Sequence, residues 1–199
     1  NGIRGGSATV HFPIWHQEIR DIIVLKNNKG TEDNRVRKLD YSIQLSALFY
    51  QRFIDNEKIT LFSPHDVAGL YDSFGTESFD ELYVKYENDD SIPKTQVDAQ
   101  ELILDLLKER AETGRIYIMN IDHCNSHSSF TDKVEMSNLC QEITLPTKPV
   151  QHIDDEHGEI ALCILSAINI GKIRDVQDLE SLCDLSVRSL DELIDFQGY

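Results

Sequence analysis

Residues 95–121 place a long helix directly against a strand. Ala99, Leu102, Ile103, Leu106, Leu107 and Arg110 recur at three- and four-residue spacing, which predicts a helix over 95–113 with those side chains on its inner side. Gly114 closes it, because glycine takes the left-handed conformation that ends helices without steric cost. Arg115 to Ile121 then reads as a strand. A helix delivered into a strand through one residue is a building unit of layered α/β folds.

The rest of the chain fits that unit. Ala8–Phe12 is β-prone, and Pro13 leads into a helical pattern through Trp15, Ile19, Ile22 and Ile23 that Gly30 follows. Residues 39–53 have helical spacing through Ile43, Ala47 and Tyr50, widened by Leu45, Leu48 and Phe49. Ser63-Pro64 opens a short helix through Val67, Leu70 and Tyr71, and another is expected over 78–86. The apolar run 159–170 suggests a strand buried on both faces, and 176–196 a long amphipathic helix. The expected class is α/β, with residues 1–199 as one partial domain and no second domain.

The formal charge of −16, with no basic patch to offset it, argues against nucleic acid or an anionic membrane as partner. No apolar run approaches the roughly 20 residues that span a bilayer. The first residues carry neither a methionine nor a signal-peptide pattern, and both ends look cut. Cys124, Cys140, Cys163 and Cys183 lack a framework spacing, which fits a reducing, cytoplasmic setting.

Chemistry concentrates at residues 137–142, SNLCQE. If this stretch is extended, Asn138, Cys140 and Glu142 share one face while Leu139 and Gln141 take the other. A thiol flanked by a base and an amide can exchange a hydrogen atom or proton with a molecule held over it. A half-buried strand with its polar side in water is the plainer alternative. Cysteine on the polar face and the nearby Pro146 and Pro149 favour a stiff, isolated finger instead.

The stretch MSNLCQEITLPTKP resembles the active-site finger of the large, catalytic subunit of class I ribonucleotide reductases. NGIRGGSATVHFPIWH, VLKNNKGTEDNRVRKLDY, LFSPHDVAGLYD, ERAETGRIYIMNIDHCNSHS and DEHGEIALCILSAINIG are similar to further blocks of that family, in the family's order. The resemblance covers essentially the whole chain. It implies an interior part of a ten-stranded α/β barrel with a cysteine-bearing finger at its centre, and reduction of ribonucleoside diphosphates at the 2′ position.

By that match, Cys140 is the cysteine that becomes a thiyl radical, Glu142 the carboxylate that takes the 3′-hydroxyl proton, and Asn138 the amide that bonds substrate and carboxylate. Asn138, Leu139, Cys140, Gln141 and Glu142 together form the implied substrate-binding stretch. Cys163 matches one member of a redox-active pair whose partner lies upstream of Asn1; its apolar neighbours taken alone describe a buried strand cysteine. Gly2, Arg4, Gly5 and Gly6 match a loop linking effector and substrate sites, although G-x-x-G-G alone is weak. The resemblance also implies ATP and dNTP effectors, a thioredoxin or glutaredoxin reductant, a large-subunit homodimer, and a small (beta) subunit whose diiron/tyrosyl centre supplies the radical. No cofactor is expected on this chain itself.

Other arrangements stay open. The chain is alternatively a non-catalytic half of a split subunit, or a related barrel enzyme of the cobalamin-dependent or glycyl-radical type. His123, Cys124, His127 and Cys140 can be drawn as a zinc set, but their spacing is irregular and no metal is expected. Cys124 is expected near the end of a barrel strand, and Cys183 in the core on the apolar side of the last helix.

Overall fold

The run DYSIQL at residues 40–45 explains why a sheet forms where helical spacing is expected. Its side chains alternate: Tyr41, Ile43 and Leu45 join the core, while Ser42 and Gln44 point the other way and are also buried. Helical spacing over 39–53 therefore holds only from Ala47 onward, and the first half is a strand covered on both faces.

The computed structural model describes residues 5–196. Contacts divide the chain into two units, one running to Glu159 and the other from Ile160. In the first, strand β1 (Thr9–Pro13) leads through helix α1 (Ile19–Ile23) to β2 (Asp40–Leu45). Then come α2 (Ala47–Ile54), β3 (Lys58–Phe62), α3 (Leu70–Ser73) and α4 (Phe79–Glu87). Strand β4 (Lys94–Asp98), α5 (Ala99–Thr113), β5 (Ile116–Asn120) and α6 (Ile121–Ser126) follow.

A parallel sheet has the order β1-β2-β5, with His11 opposite Ser42 and Ser42 opposite Tyr117. β3 and β4 form a separate antiparallel ribbon, in which Thr60 faces Gln96. The first residues expected in the long helix belong to this ribbon. The helix itself begins where Asp98 caps it, its carboxylate accepting from the Glu101 N–H at 2.9 Å. Gly114 ends α5 at φ 66°. Ala99, Leu102, Ile103 and Leu106 are buried along it, whereas Leu107 and Arg110 lie on its exposed side.

The core is an aromatic cluster under the sheet. Phe49, Phe74, Phe79 and Tyr83 pack with ring centroids 4.6–6.2 Å apart, and Trp15 and Phe62 join at its edges. The ribbon is locked to α2 and α4 by charge. The Arg52 guanidinium donates two 2.6 Å bonds to the Glu87 carboxylate, a third at 2.7 Å to the Lys58 carbonyl, and lies 5.0 Å from the Tyr83 ring centroid. Tyr83 in turn clasps Thr60, accepting from its N–H at 2.7 Å and donating to its carbonyl at 2.8 Å.

The second unit carries α7 (Asp178–Asp195). The strand expected over 159–170 does not form beyond Glu159, which makes an isolated bridge to Lys148 in the first unit. A buried strand needs neighbours on both sides, and none of the described residues pairs with 160–169. Ile160, Leu162 and Leu165 are accordingly 75–79% exposed. Cys183, expected in the core, is exposed on α7 for the same reason: no apolar surface among the described residues of that unit buries the helix.

Candidate active site

The sheet face opposite the aromatic core is polar. Thr9 and His11 of β1, with Ser42 and Gln44 of β2, lie on it in register. Burying such a face costs free energy unless each polar group finds a partner. Residues 134–143 partner Thr9 Oγ1, His11 Nε2, Ser42 Oγ and Gln44 Nε2, while His11 Nδ1 and Gln44 Oε1 stay buried without a partner among the described residues.

The approach is fixed by Asn125, at the end of α6. Its carboxamide accepts from the Val134 N–H at 2.8 Å and donates to the Val134 carbonyl at 3.0 Å. Gln44 Nε2 then donates to the Glu135 carbonyl at 2.6 Å. His11 Nε2 lies 3.3 Å from both the carbonyl and the N–H of Ser137. Burial holds this imidazole below its ordinary pKa, against a smaller upward pull from the Ser137 bond. Thr9 Oγ1 donates to the Leu139 carbonyl at 2.6 Å.

The chain then reverses, so 137–142 is not extended. Gln141 N–H donates to the Asn138 carbonyl at 3.1 Å, and Asn138 N–H to the Ile143 carbonyl at 3.3 Å. Asn138 Oδ1 accepts from the Ile143 N–H at 3.0 Å and from Ser137 Oγ at 3.2 Å. Gln141 adopts φ 63°, in the left-handed region that non-glycine residues seldom occupy. Its amide reaches down to the sheet: Nε2 donates to the Ile118 carbonyl at 2.7 Å, and Oε1 accepts from Ser42 Oγ at 2.6 Å.

The alternation argument for Asn138, Cys140 and Glu142 therefore does not describe this stretch. All three belong to a turn instead. Leu139 and Cys140 form the tip, exposed, and Glu142 is exposed one residue past the left-handed Gln141. Asn138 is half-buried at the base, its side-chain carbonyl accepting from Ser137 Oγ and the Ile143 N–H. The arrangement displays a thiol and a carboxylate on a short platform braced from below.

Beside the turn lies a cleft of about 330 Å³ lined by Met119, Asn120, Cys124, His127, Gln141 and Thr144 among others. Cys124 is partly buried in α6, directly after the end of β5, and burial, reinforced by Asp122, pushes its thiol up. Among the described residues, no three His, Cys, Asp or Glu side chains converge as a metal-binding set. No described helix is long and apolar enough to cross a membrane.

The remaining expected site residues belong to other segments of the chain. Cys163 lies in 160–169 of the second unit and is exposed. Gly5 and Gly6 are exposed, with nothing within 4 Å of an added Cβ, and Gly2 and Arg4 lie outside the described residues. Sequence reasoning missed Thr9, His11, Ser42, Gln44 and Asn125. The available signal was Ser42 and Gln44 alternating with Tyr41, Ile43 and Leu45, a polar face on a strand with no reason to meet water.

Fold and site together define an α/β segment that presents one cysteine on a turn across a parallel sheet. A family model described as "Ribonucleotide reductase, barrel domain" matches residues 1–199. The chain belongs to that family. It is 59% identical over 203 residues to the ribonucleoside-diphosphate reductase subunit alpha of Haemophilus influenzae, covering 100% of this chain and 27% of that protein. The subunit alpha from enterobacteria phage T4 is 45% identical over 206 residues, again with 100% of this chain and 27% of the relative. The ribonucleoside-diphosphate reductase 1 subunit alpha of Escherichia coli is 56% identical over 154 residues, 75% of this chain and 20% of the relative. The chain thus spans about a quarter of the length of these relatives.

Proposed function

We propose that this chain is an interior portion of the catalytic barrel of a class I ribonucleoside-diphosphate reductase large subunit, with Cys140 as the hydrogen-abstracting thiol. The observation that carries the proposal is the braced turn. It exposes Cys140 at its tip, with Glu142 two residues on and Asn138 at its base, in a chain matched by the family over its full length. Both units contribute to one barrel domain, and the turn is that barrel's finger.

In the proposed reaction, the Cys140 thiyl radical takes the 3′ hydrogen of the substrate ribose, forming S–H and a carbon radical. An S–H bond is close in strength to an activated sugar C–H bond, so the exchange is nearly balanced. Glu142 accepts the 3′-hydroxyl proton, as general-base chemistry requires of a carboxylate within hydrogen-bond reach. The 2′-hydroxyl leaves as water with a proton from the dithiol, and Glu142 later returns its proton to the 3′ oxygen. Cys163 and an upstream cysteine donate two electrons and two protons and close as a disulfide, which an external dithiol such as thioredoxin or glutaredoxin reopens. Cys140 returns hydrogen to C3′ and is again a thiyl. The net change is ribonucleotide plus dithiol to deoxyribonucleotide, water and disulfide.

The radical comes from a diiron/tyrosyl small subunit, and ATP and dNTPs act as effectors, partly through the loop at Gly2, Arg4, Gly5 and Gly6. The full subunit works as a homodimer in the cytoplasm. The test is deoxynucleotide formation by the complete subunit with its small-subunit partner. Cys140→Ala abolishes it; activity retained in that variant overturns the proposal.

A further inference from the structure

The turn bearing Cys140 contains one residue whose side chain holds the turn to the sheet. We infer that Gln141 is a positioning residue, and that its amide latch to Ser42 and to the Ile118 carbonyl sets where the Cys140 sulfur stands. The inference rests on the proposed function for its catalytic readout, while the latch itself is tested without it.

Three observations carry it. Both ends of the Gln141 amide are used, the donor on β5 at 2.7 Å and the acceptor on β2 at 2.6 Å, so the side chain bridges two adjacent parallel strands. Ser42 is fully buried, and this is the bond its hydroxyl makes. Without Gln141, Ser42 is left as an unsatisfied buried donor, so the latch has something to lose in either direction. Finally, Gln141 sits at φ 63°, where an L side chain is strained and glycine is at ease. A position that needed only the turn would be better served by glycine. Glutamine there accepts backbone strain in exchange for the two bonds to the sheet.

The consequence is geometric. Cys140 precedes Gln141 directly, and the other ties from the sheet to the turn, from Thr9 and His11, hold residues upstream of it, while Ile143 is held within the turn by Ser137 and Asn138. Releasing Gln141 frees residues 140–142 from the sheet while Leu139 and Ile143 stay tied, so the sulfur shifts between those two anchors. Hydrogen transfer is sensitive to displacements of this kind: misplacement by about 1 Å can cost on the order of 100-fold in rate.

The discriminating substitution is Gln141→Gly, which relaxes the backbone and removes the latch. Ser42→Ala removes one hydroxyl from the other side and serves equally where Gln141→Gly fails to fold. In the 199-residue chain, amide exchange at Gln141 and Ile143 should quicken by about 10-fold in either variant, the scale of one net hydrogen bond, while β2 and β5 amides stay as protected as before. In the complete subunit with its partner, either variant lowers kcat by about 10- to 100-fold with KM within about 2-fold. The double variant is no worse than the poorer single one, because both changes break one latch. Unchanged exchange in both variants, or single-variant losses in kcat that multiply in the double, overturns the inference. Exchange that quickens in a subunit whose Cys140→Ala variant remains active leaves the latch standing and removes the proposed function instead.

Discussion

The two cysteines assigned to the reaction stand on opposite kinds of structure. Cys140 is exposed at the tip of a turn whose neighbours are tied down by Asn125, Gln44, His11, Thr9 and Gln141. Cys163 is exposed because 160–169 has no strand beside it among the described residues, and its apolar neighbours are bare. Exposure in the first case is built, since the thiol is raised on a turn hydrogen-bonded to the sheet. In the second it reflects missing partners, since an apolar run such as IALCILSAI gains nothing from facing water. The first unit therefore holds the Cys140 turn with its own residues, whereas the apolar run around Cys163 lies largely exposed.

The largest expected difference is catalytic. In the complete subunit, Cys140→Ala removes deoxynucleotide formation altogether, whereas Cys163→Ser stops sustained turnover by interrupting the dithiol supply. Time courses with and without external reductant separate the two, and equal loss in all conditions would erase the distinction between them.

Next comes the lock beneath the first unit. Arg52→Met leaves the Glu87 carboxylate nearly buried without its cation, and should destabilise that unit by about 3–5 kcal/mol in chemical denaturation. Burial pushes the Glu87 carboxyl up, but hydrogen bonds from Arg52 and Thr60 and the charges of Arg52 and Lys94 outweigh it and hold it below its ordinary 4.5. A depressed folded pKa means this stability is present above 4.5 and is lost as pH falls through the folded value. Glu87→Gln should flatten that part of the acid-denaturation curve and leave 160–169 indifferent.

Gly75→Ala probes the approach to the turn. At φ 87° the new Cβ would lie 2.8 Å from Ile121 Cγ1 and 2.9 Å from Asn125 Nδ2, the amide that grips Val134. A cost of about 1–3 kcal/mol is expected, read in thermal unfolding and in faster exchange at Val134.

The smallest effect is that of His11. Burial lowers its folded pKa, so as pH drops below 6.5 the unfolded chain takes up the proton first and the folded state loses stability. Wild type should fall relative to His11→Gln by less than about 1 kcal/mol between roughly pH 6.5 and 5. A flat difference across that range would show that burial beneath the turn does not lower the His11 pKa.

Much of this was legible in the sequence where local signals agree with packing. α5, Gly114 and β5 follow from spacing and one glycine, and α7 from its amphipathic stripe. β2 and β4 were absorbed into neighbouring helical patterns, because Ile43 and Leu45 fit a helical face as well as a strand, and only sheet neighbours decide between them. At the site, Asn138, Cys140 and Glu142 could be singled out from the motif, but not their geometry. Alternation presumes an extended chain, and nothing local announces that Gln141 will turn left-handed to reach Ser42, a residue 99 positions away.

The contrast between a built turn and an unpartnered segment is tested most directly by amide hydrogen exchange on the 199-residue chain. Protection at Val134, Gln141 and Ile143, alongside fast exchange throughout 160–169, is the expected result. Exchange at those three amides as fast as in 160–169 would contradict it, and with it the claim that the first unit holds the Cys140 turn in place with its own residues.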